Sequence, residues 1–198
     1  RAPMPVLSGL LLRADDNGLT ITGYDLALAI ETRIPATIEE PGEVVVPAKQ
    51  FGGIVKALGH SEVVLSRQDN SLKIQADRAE FTLQTMDATE YPALPEVEGQ
   101  FAIIPHEAFR ECARKVSYAA AVADARAFYT VINTMMADGE LTMVATDTFR
   151  LAVRRAPAPH SEPLSVLLPV AFVSEIERLD GAVHLHLSGN HVQVKSGE

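Results

Sequence analysis

The chain repeats itself, and no other feature limits its possible folds as much. Residues 22–30, TGYDLALAI, resemble residues 144–152, VATDTFRLA, with Asp25 opposite Asp147. Residues 46–59, VPAKQFGGIVKALG, resemble 168–181, LPVAFVSEIERLDG, with Pro47 opposite Pro169 and Gly59 opposite Gly181. These pairs, and the run VVL at 63–65 against LHL at 185–187, all stand 122 positions apart. Separated blocks at a single offset imply two copies of one domain fold. The seam is expected in the stretch 91–100, YPALPEVEGQ, where two prolines and a glycine interrupt both strand and helix periodicity. That places a first domain at 1–99 and a second at 100–198. Carried back by the same offset, the first copy would open before Arg1, and the second stops inside its last hairpin, so the sequence reads as part of a longer polypeptide.

Apolar residues make up 47% of the 198, enough to build cores and too many for a disordered chain. No apolar run approaches the roughly 20 residues that a membrane-spanning helix needs. The single cysteine, Cys112, has no partner for an intramolecular disulfide, and no Cys/His spacing suits a structural zinc. A reducing compartment, the cytoplasm, is the expected location. The formal net charge is −9, unusual for a chain that would hold nucleic acid by bulk attraction.

Much of each copy alternates apolar and polar residues, as strands with one buried face do: Leu19 to Thr22, Leu72 to Gln75, Phe81 to Gln84 and Val183 to Leu187. The stretches 15–18, 69–70 and 138–139 sit between such runs and read as hairpin turns. Helical spacing is confined to three segments. In 47–58 the apolar stripe is Phe51, Ile54, Val55 and Leu58. In 105–118 it is Phe109, Cys112, Ala113 and Val116, and in 169–180 it is Phe172, Ile176 and Leu179. The expected architecture is α+β, with two short helices per complete copy laid on a large antiparallel sheet. Helical phase sets Arg110 beside Arg114, and Glu111 beside Lys115, away from the stripe; Lys49 and Lys56 share a face of the first helix. Such positions are either an ordinary solvated surface or a basic face able to meet phosphates without sequence preference.

The run 145–153, ATDTFRLAV, resembles the ATD-x-x-RLA signature of the bacterial sliding clamp, the beta subunit of DNA polymerase III. The runs RAPMPVLSG at 1–9, EVVVPAK at 43–49, FTL at 81–83 and EYPALP at 90–95 are similar to further stretches of that family. The resemblance runs along the whole chain. It implies a DNA clamp fold of repeated domains, with a third copy that this chain does not contain. It also implies a head-to-tail homodimer ring around duplex DNA that tethers the replicative polymerase and confers processivity, with no catalytic site and no cofactor. Arg1 and Lys49 then match positions that touch DNA; Arg110, Arg114 and Lys115 join them from helical phase. In the helix opening at Pro169 the family's basic pair is replaced by Val170 and Ala171. A hydrophobic groove for linear peptides of polymerases, the clamp loader and repair proteins would include Tyr129, Thr146, Thr148, Phe149, Arg150 and Leu151. Thr148 and Phe149 replace a common Gly-His pair, and Tyr129 replaces a leucine. Phe81 and Leu83 lie on the strand facing the neighbouring subunit.

Two other readings keep a place beside this one. His184 and His186 lie two apart on a strand, a spacing a metal-dependent hydrolase could use, but no carboxylate or thiol alternates with them. A repeat-built interaction scaffold without DNA is the second. Cys112 falls in an apolar stripe, the place of an inert thiol. No GxxxxGK(S/T), GxGxxG or GxSxG motif occurs.

Overall fold

Each of three prolines marks the point where a strand gives way to a helix. In the computed structural model, which describes residues 4–59, 61–121, 126–159 and 163–195, Pro47, Pro105 and Pro169 hold φ near −55° to −60° with extended ψ. The next residue opens α1 (Ala48–Leu58), α2 (His106–Val116) and α3 (Val170–Ile176). A fixed φ and no N–H suit this boundary, where a helix has no intrahelical acceptor for its first amides. The chain divides into two units, Arg1–Leu94 and Pro95–Glu198.

In the first unit the strands β1 (Gly9–Asp15), β2 (Gly18–Tyr24), β3 (Ala29–Ile34) and β4 (Gly42–Pro47) form an antiparallel sheet in the order β3-β2-β1-β4. A three-stranded sheet follows, β5 (Val64–Gln68), β6 (Ser71–Ala76) and β7 (Ala79–Gln84). Leu12, Val44, Val46, Leu72, Ile74 and Leu83 from both sheets close a core over Phe51 of α1. Ile54 and Leu58 pack against it, but Val55 stays exposed: 51, 54 and 58 already span the contact face, and 55 falls beside it.

The opposite face of the four-stranded sheet is also covered. A 3-10 turn at Pro5–Ser8 lays Val6 and Leu7 on Leu11 and Val45, and Tyr91 closes over them. Met86 joins the sheet through its N–H to the Val45 carbonyl at 2.9 Å, and the Tyr91 hydroxyl donates to the Thr22 carbonyl at 3.2 Å.

The second unit repeats the plan. Its strands β9 (Val131–Ala137), β10 (Glu140–Thr146), β11 (Leu151–Pro157) and β12 (Leu164–Pro169) pair in the order β11-β10-β9-β12. The second sheet runs β14-β13-β8, from β8 (Gln100–Ile104), β13 (Val183–Ser188) and β14 (His191–Lys195). Both helices pack on one face of the larger sheet. Phe109, Cys112, Ala113 and Val116 of α2 are all fully buried, with Ile132, Leu141, Met143, Leu168 and Leu185 beneath them. On α3 the buried residues are Val173 and Ile176, with Phe172 beside them; α3 is shorter than 169–180, so the stripe is centred on Val173, and Leu179 falls beyond the helix.

The other face of this sheet does not match its counterpart. Val6 is 2% exposed, whereas Phe128, 122 positions on, is 58% exposed in a 3-10 turn at Ala127–Tyr129. Val45 is wholly buried, whereas Leu167 is 56% exposed.

Candidate functional site

At one end of the second unit's larger sheet, β10 ends, β11 begins and β9 begins. The connection from Thr146 to Leu151 is held by one carboxylate. Asp147 Oδ1 accepts the amides of Phe149 and Arg150 at 3.1 and 3.0 Å, and its Oδ2 accepts Arg150 Nε at 2.8 Å. Thr146 Oγ1 donates to the Arg150 carbonyl at 2.7 Å. The Arg150 side-chain hydrogen bond holds the Asp147 carboxyl below its usual range; burial opposes it, and the Arg150 and Phe149 amides and the guanidinium charge add to the lowering. Thr148 is forced to φ +79°, a left-handed conformation rare for a β-branched residue.

This tie presents Phe149 to solvent with 97% of its surface exposed, next to Leu151 at 66%. The Arg150 guanidinium stands 6.0 Å from the ring centre of Tyr118, itself largely exposed. At the start of β9, the rings of Phe128 and Tyr129 lie 4.3 Å apart, and the Arg126 guanidinium covers Tyr129 at 4.4 Å. The Tyr129 carbonyl accepts the Ala121 amide at 2.8 Å. The six residues expected in a peptide groove thus lie at one end of one sheet, in two clusters. Exposed apolar side chains on a hydrogen-bonded backbone, rimmed by two arginines, form a surface suited to an apolar peptide. Tyr118, Phe128 and Arg126 belong to it too. Reading the sequence missed them; the aromatic pair at 128–129, with an arginine two residues before it, was the available signal.

The same loop recurs in the first unit without that surface. Asp25 Oδ1 accepts the amides of Ala27 and Leu28 at 2.9 and 2.7 Å, and Leu26 takes φ +75°. There Ala27 and Leu28 replace Phe149 and Arg150.

The basic residues are less uniform than helical phase implies. Lys49 and Lys56 are exposed on α1, and Lys115 on α2. Arg110 is not free: its Nη2 donates to the Glu177 carbonyl at 3.1 Å, because the last carbonyls of α3 lack intrahelical partners and attract a cation. Arg114 Nε lies 3.7 Å from Glu177 Oε2. Glu111 pairs with Arg154 of β11, not with Lys115, since β11 turns Arg154 toward α2 on the same side as Ala152 and Ala156. Arg1 lies outside the described residues.

Of the two residues expected to face a neighbouring subunit, Leu83 is buried and Phe81 is half-buried. Strand alternation points both inward, opposite Ile74 and Leu72, where Leu83 joins the core and Phe81 packs against it. The outer backbone edge of β7, like that of β5, is left unpaired in this sheet among the described residues. His184 and His186 flank Phe101, with ring centres 5.9 and 4.8 Å away. Among the described residues no three His, Cys, Asp or Glu side chains gather in a way that could hold a metal ion. No helix among them is long and apolar enough to cross a membrane. Burial pushes the Cys112 thiol up to about 11.

Residues 1–95 match the family model of the DNA polymerase III beta subunit, N-terminal domain, and residues 103–198 match that of its central domain. The Beta sliding clamp of Bacillus subtilis is 34% identical over 191 residues, covering 90% of this chain and 50% of the relative. The Beta sliding clamp of Staphylococcus epidermidis is 30% identical over 212 residues, covering 100% and 56%. The crystal structure of the Bacillus subtilis DNA polymerase sliding clamp superposes with a TM-score of 0.91 at 31% identity, over 99% of this chain and 56% of that one. A Pseudomonas aeruginosa sliding clamp bound to griselimycin superposes with a TM-score of 0.91 at 30% identity, over 100% and 56%. The chain spans about half the length of the curated relatives it matches. With both units matched in order, the chain belongs to the DNA polymerase III beta subunit family, the bacterial sliding clamps, and its two units are that family's N-terminal and central domains.

Proposed function

We propose that this chain serves as part of a ring that encircles duplex DNA and tethers the replicative polymerase in the cytoplasm, performing no chemistry itself. The observation that carries this reading is the match of both units, in order, to clamp domains, at 31% identity and a TM-score of 0.91 to a solved clamp. The net charge of −9 is compatible with it. A closed ring is retained by topology, so its phosphate contacts can be few, weak and indifferent to sequence. Arg1, Lys49, Arg114 and Lys115 would supply them locally, whereas Arg110 is taken up by the end of α3. The unpaired edge of β7, which carries Phe81 and Leu83, would meet a second subunit through backbone pairing.

The end of the sheet bearing Tyr129 and residues 146–151 would take the apolar tails of polymerase, clamp loader and repair proteins. Phe149 and Leu151 offer the apolar area; Arg150, oriented by Asp147, offers donors to the peptide backbone.

Retention on nicked circular against linear duplex tests the ring, using the full polypeptide that contains these domains. Protein held on circles and lost from free ends is the expected result; equal retention on both contradicts encirclement. For the groove, replacing Arg150 and Leu151 with alanine should abolish binding of a polymerase tail peptide while the circular dichroism spectrum is unchanged. Unaltered affinity removes the assignment.

A further inference from the structure

The face of α2 that would meet DNA already holds an anion. Glu177, at the end of α3, meets both α2 arginines: its carbonyl accepts from Arg110 Nη2 at 3.1 Å, and its carboxylate Oε2 forms an ion pair with Arg114, 3.7 Å from Nε. The Glu177 side chain is 20% exposed, while that of Arg114 is 64% exposed. The carboxylate is therefore fixed in place and the guanidinium is free to swing. Glu107, on the same helix as Arg114, stands 3.9 Å from Arg110 Nη1 and is almost fully solvated. Arg110 is committed: its Nε is shielded from solvent with no hydrogen-bond partner and its Nη2 is tied to backbone.

We infer that Glu177 is a built-in competitor for phosphate, which holds Arg114 in the absence of DNA and sets how weakly this face grips the duplex. The inference rests on the reading of α2 as a DNA-facing helix. A phosphate oxygen and a glutamate oxygen are both anionic partners for a guanidinium, so only one of them can neutralise Arg114 at a time. Each phosphate that engages Arg114 must therefore displace Glu177. The exchange replaces one ion pair by another, so the net gain is small at every register along the backbone. An exposed ion pair breaks easily, which keeps the exchange fast. Lys115, on the same helix and without such a partner among the described residues, makes the ungated contact. Loose contact is what a ring that moves along DNA requires, and here an acidic residue supplies it without removing the arginine.

The test is equilibrium binding of the full polypeptide to a short linear duplex across a salt series, read by fluorescence anisotropy. Glu177→Gln keeps the side-chain shape and the carbonyl that holds Arg110. It should tighten binding about three- to tenfold at low salt and steepen the plot of log affinity against log salt by up to about one, the contribution of one added phosphate contact. Arg114→Ala should weaken binding, and the double variant Arg114→Ala, Glu177→Gln should behave like Arg114→Ala alone. Glu107→Gln removes an equal charge nearby and should change affinity less than twofold. If Arg114→Ala weakens binding but Glu177→Gln leaves affinity and slope as they were, the competitor role is overturned and the DNA-facing helix stands. If Glu107→Gln tightens binding as much as Glu177→Gln, the effect is general charge and the role is again overturned. If Arg114→Ala leaves binding unchanged, α2 does not face DNA and both readings fall.

Discussion

Leu26 and Thr148 stand 122 positions apart and share one left-handed backbone conformation, φ +75° and +79°. Each follows an aspartate whose Oδ1 accepts the two amides beyond it. Neither residue suits that conformation, so the carboxylate imposes it in both units.

Replacing Thr148 should reveal that strain. Glycine adopts positive φ without penalty, whereas valine keeps the β-branch and loses the hydroxyl. Thr148→Gly is expected to raise the unfolding free energy by up to about 1 kcal/mol, and Thr148→Val, which keeps the strained branch and loses only an exposed hydroxyl, to leave it within about 0.5 kcal/mol. Urea denaturation of each variant checks the difference.

Acid should loosen the same turn. Asp147 titrates below its usual range in the folded protein, chiefly through the Arg150 side chain and then the two amides. Its support is fully present above the ordinary carboxylate pKa of about 4 and is lost as pH falls through the lowered folded value. The amide resonances of Phe149 and Arg150 should move together in that window, and Asp147→Asn should abolish the movement.

Thr134 occupies the place in β9 that Leu12 holds in β1. It is fully buried, and its hydroxyl finds no hydrogen-bond partner. Thr134→Val removes an unsatisfied polar atom at nearly constant volume and should stabilise the second unit by about 1 kcal/mol. A lower denaturation midpoint would contradict this.

Cys112 should resist thiol reagents in the native protein. It is wholly buried in α2, and its thiol is pushed up to about 11, chiefly by burial, so almost no thiolate exists at pH 8. Modification at that pH should be slow and should speed up by orders of magnitude in denaturant, where the pKa returns to about 8.5.

The repeat was legible because it is written in residues that backbone geometry demands. Asp25 and Asp147 clamp loops, Pro47 and Pro169 precede helices, and Gly59 and Gly181 take positive φ after them. Strand alternation likewise located β2, β6, β7 and β13. Helical phase identified which side of α2 is buried, yet it could not identify partners across space. It set Glu111 with Lys115, whereas Arg154, 43 residues on, takes Glu111. It left Arg110 in solvent, whereas the end of α3 recruits it. Phe81 and Leu83 show the same limit: their alternation declares one buried face, and only packing reveals that this face is the unit's own core. Tyr118 was invisible because its significance comes from Arg150, which approaches from another loop.

The first unit seals the outside of its larger sheet with Val6, Leu7 and Tyr91, while the second leaves Phe128 and Leu167 in water at the matching positions. One sheet plan is thus finished in two ways, once with its outer face covered and once with apolar side chains left in solvent. A partner peptide of the kind proposed would therefore have Phe128 and Phe149 to meet in the second unit, where the first offers the buried Val6 and the small Ala27.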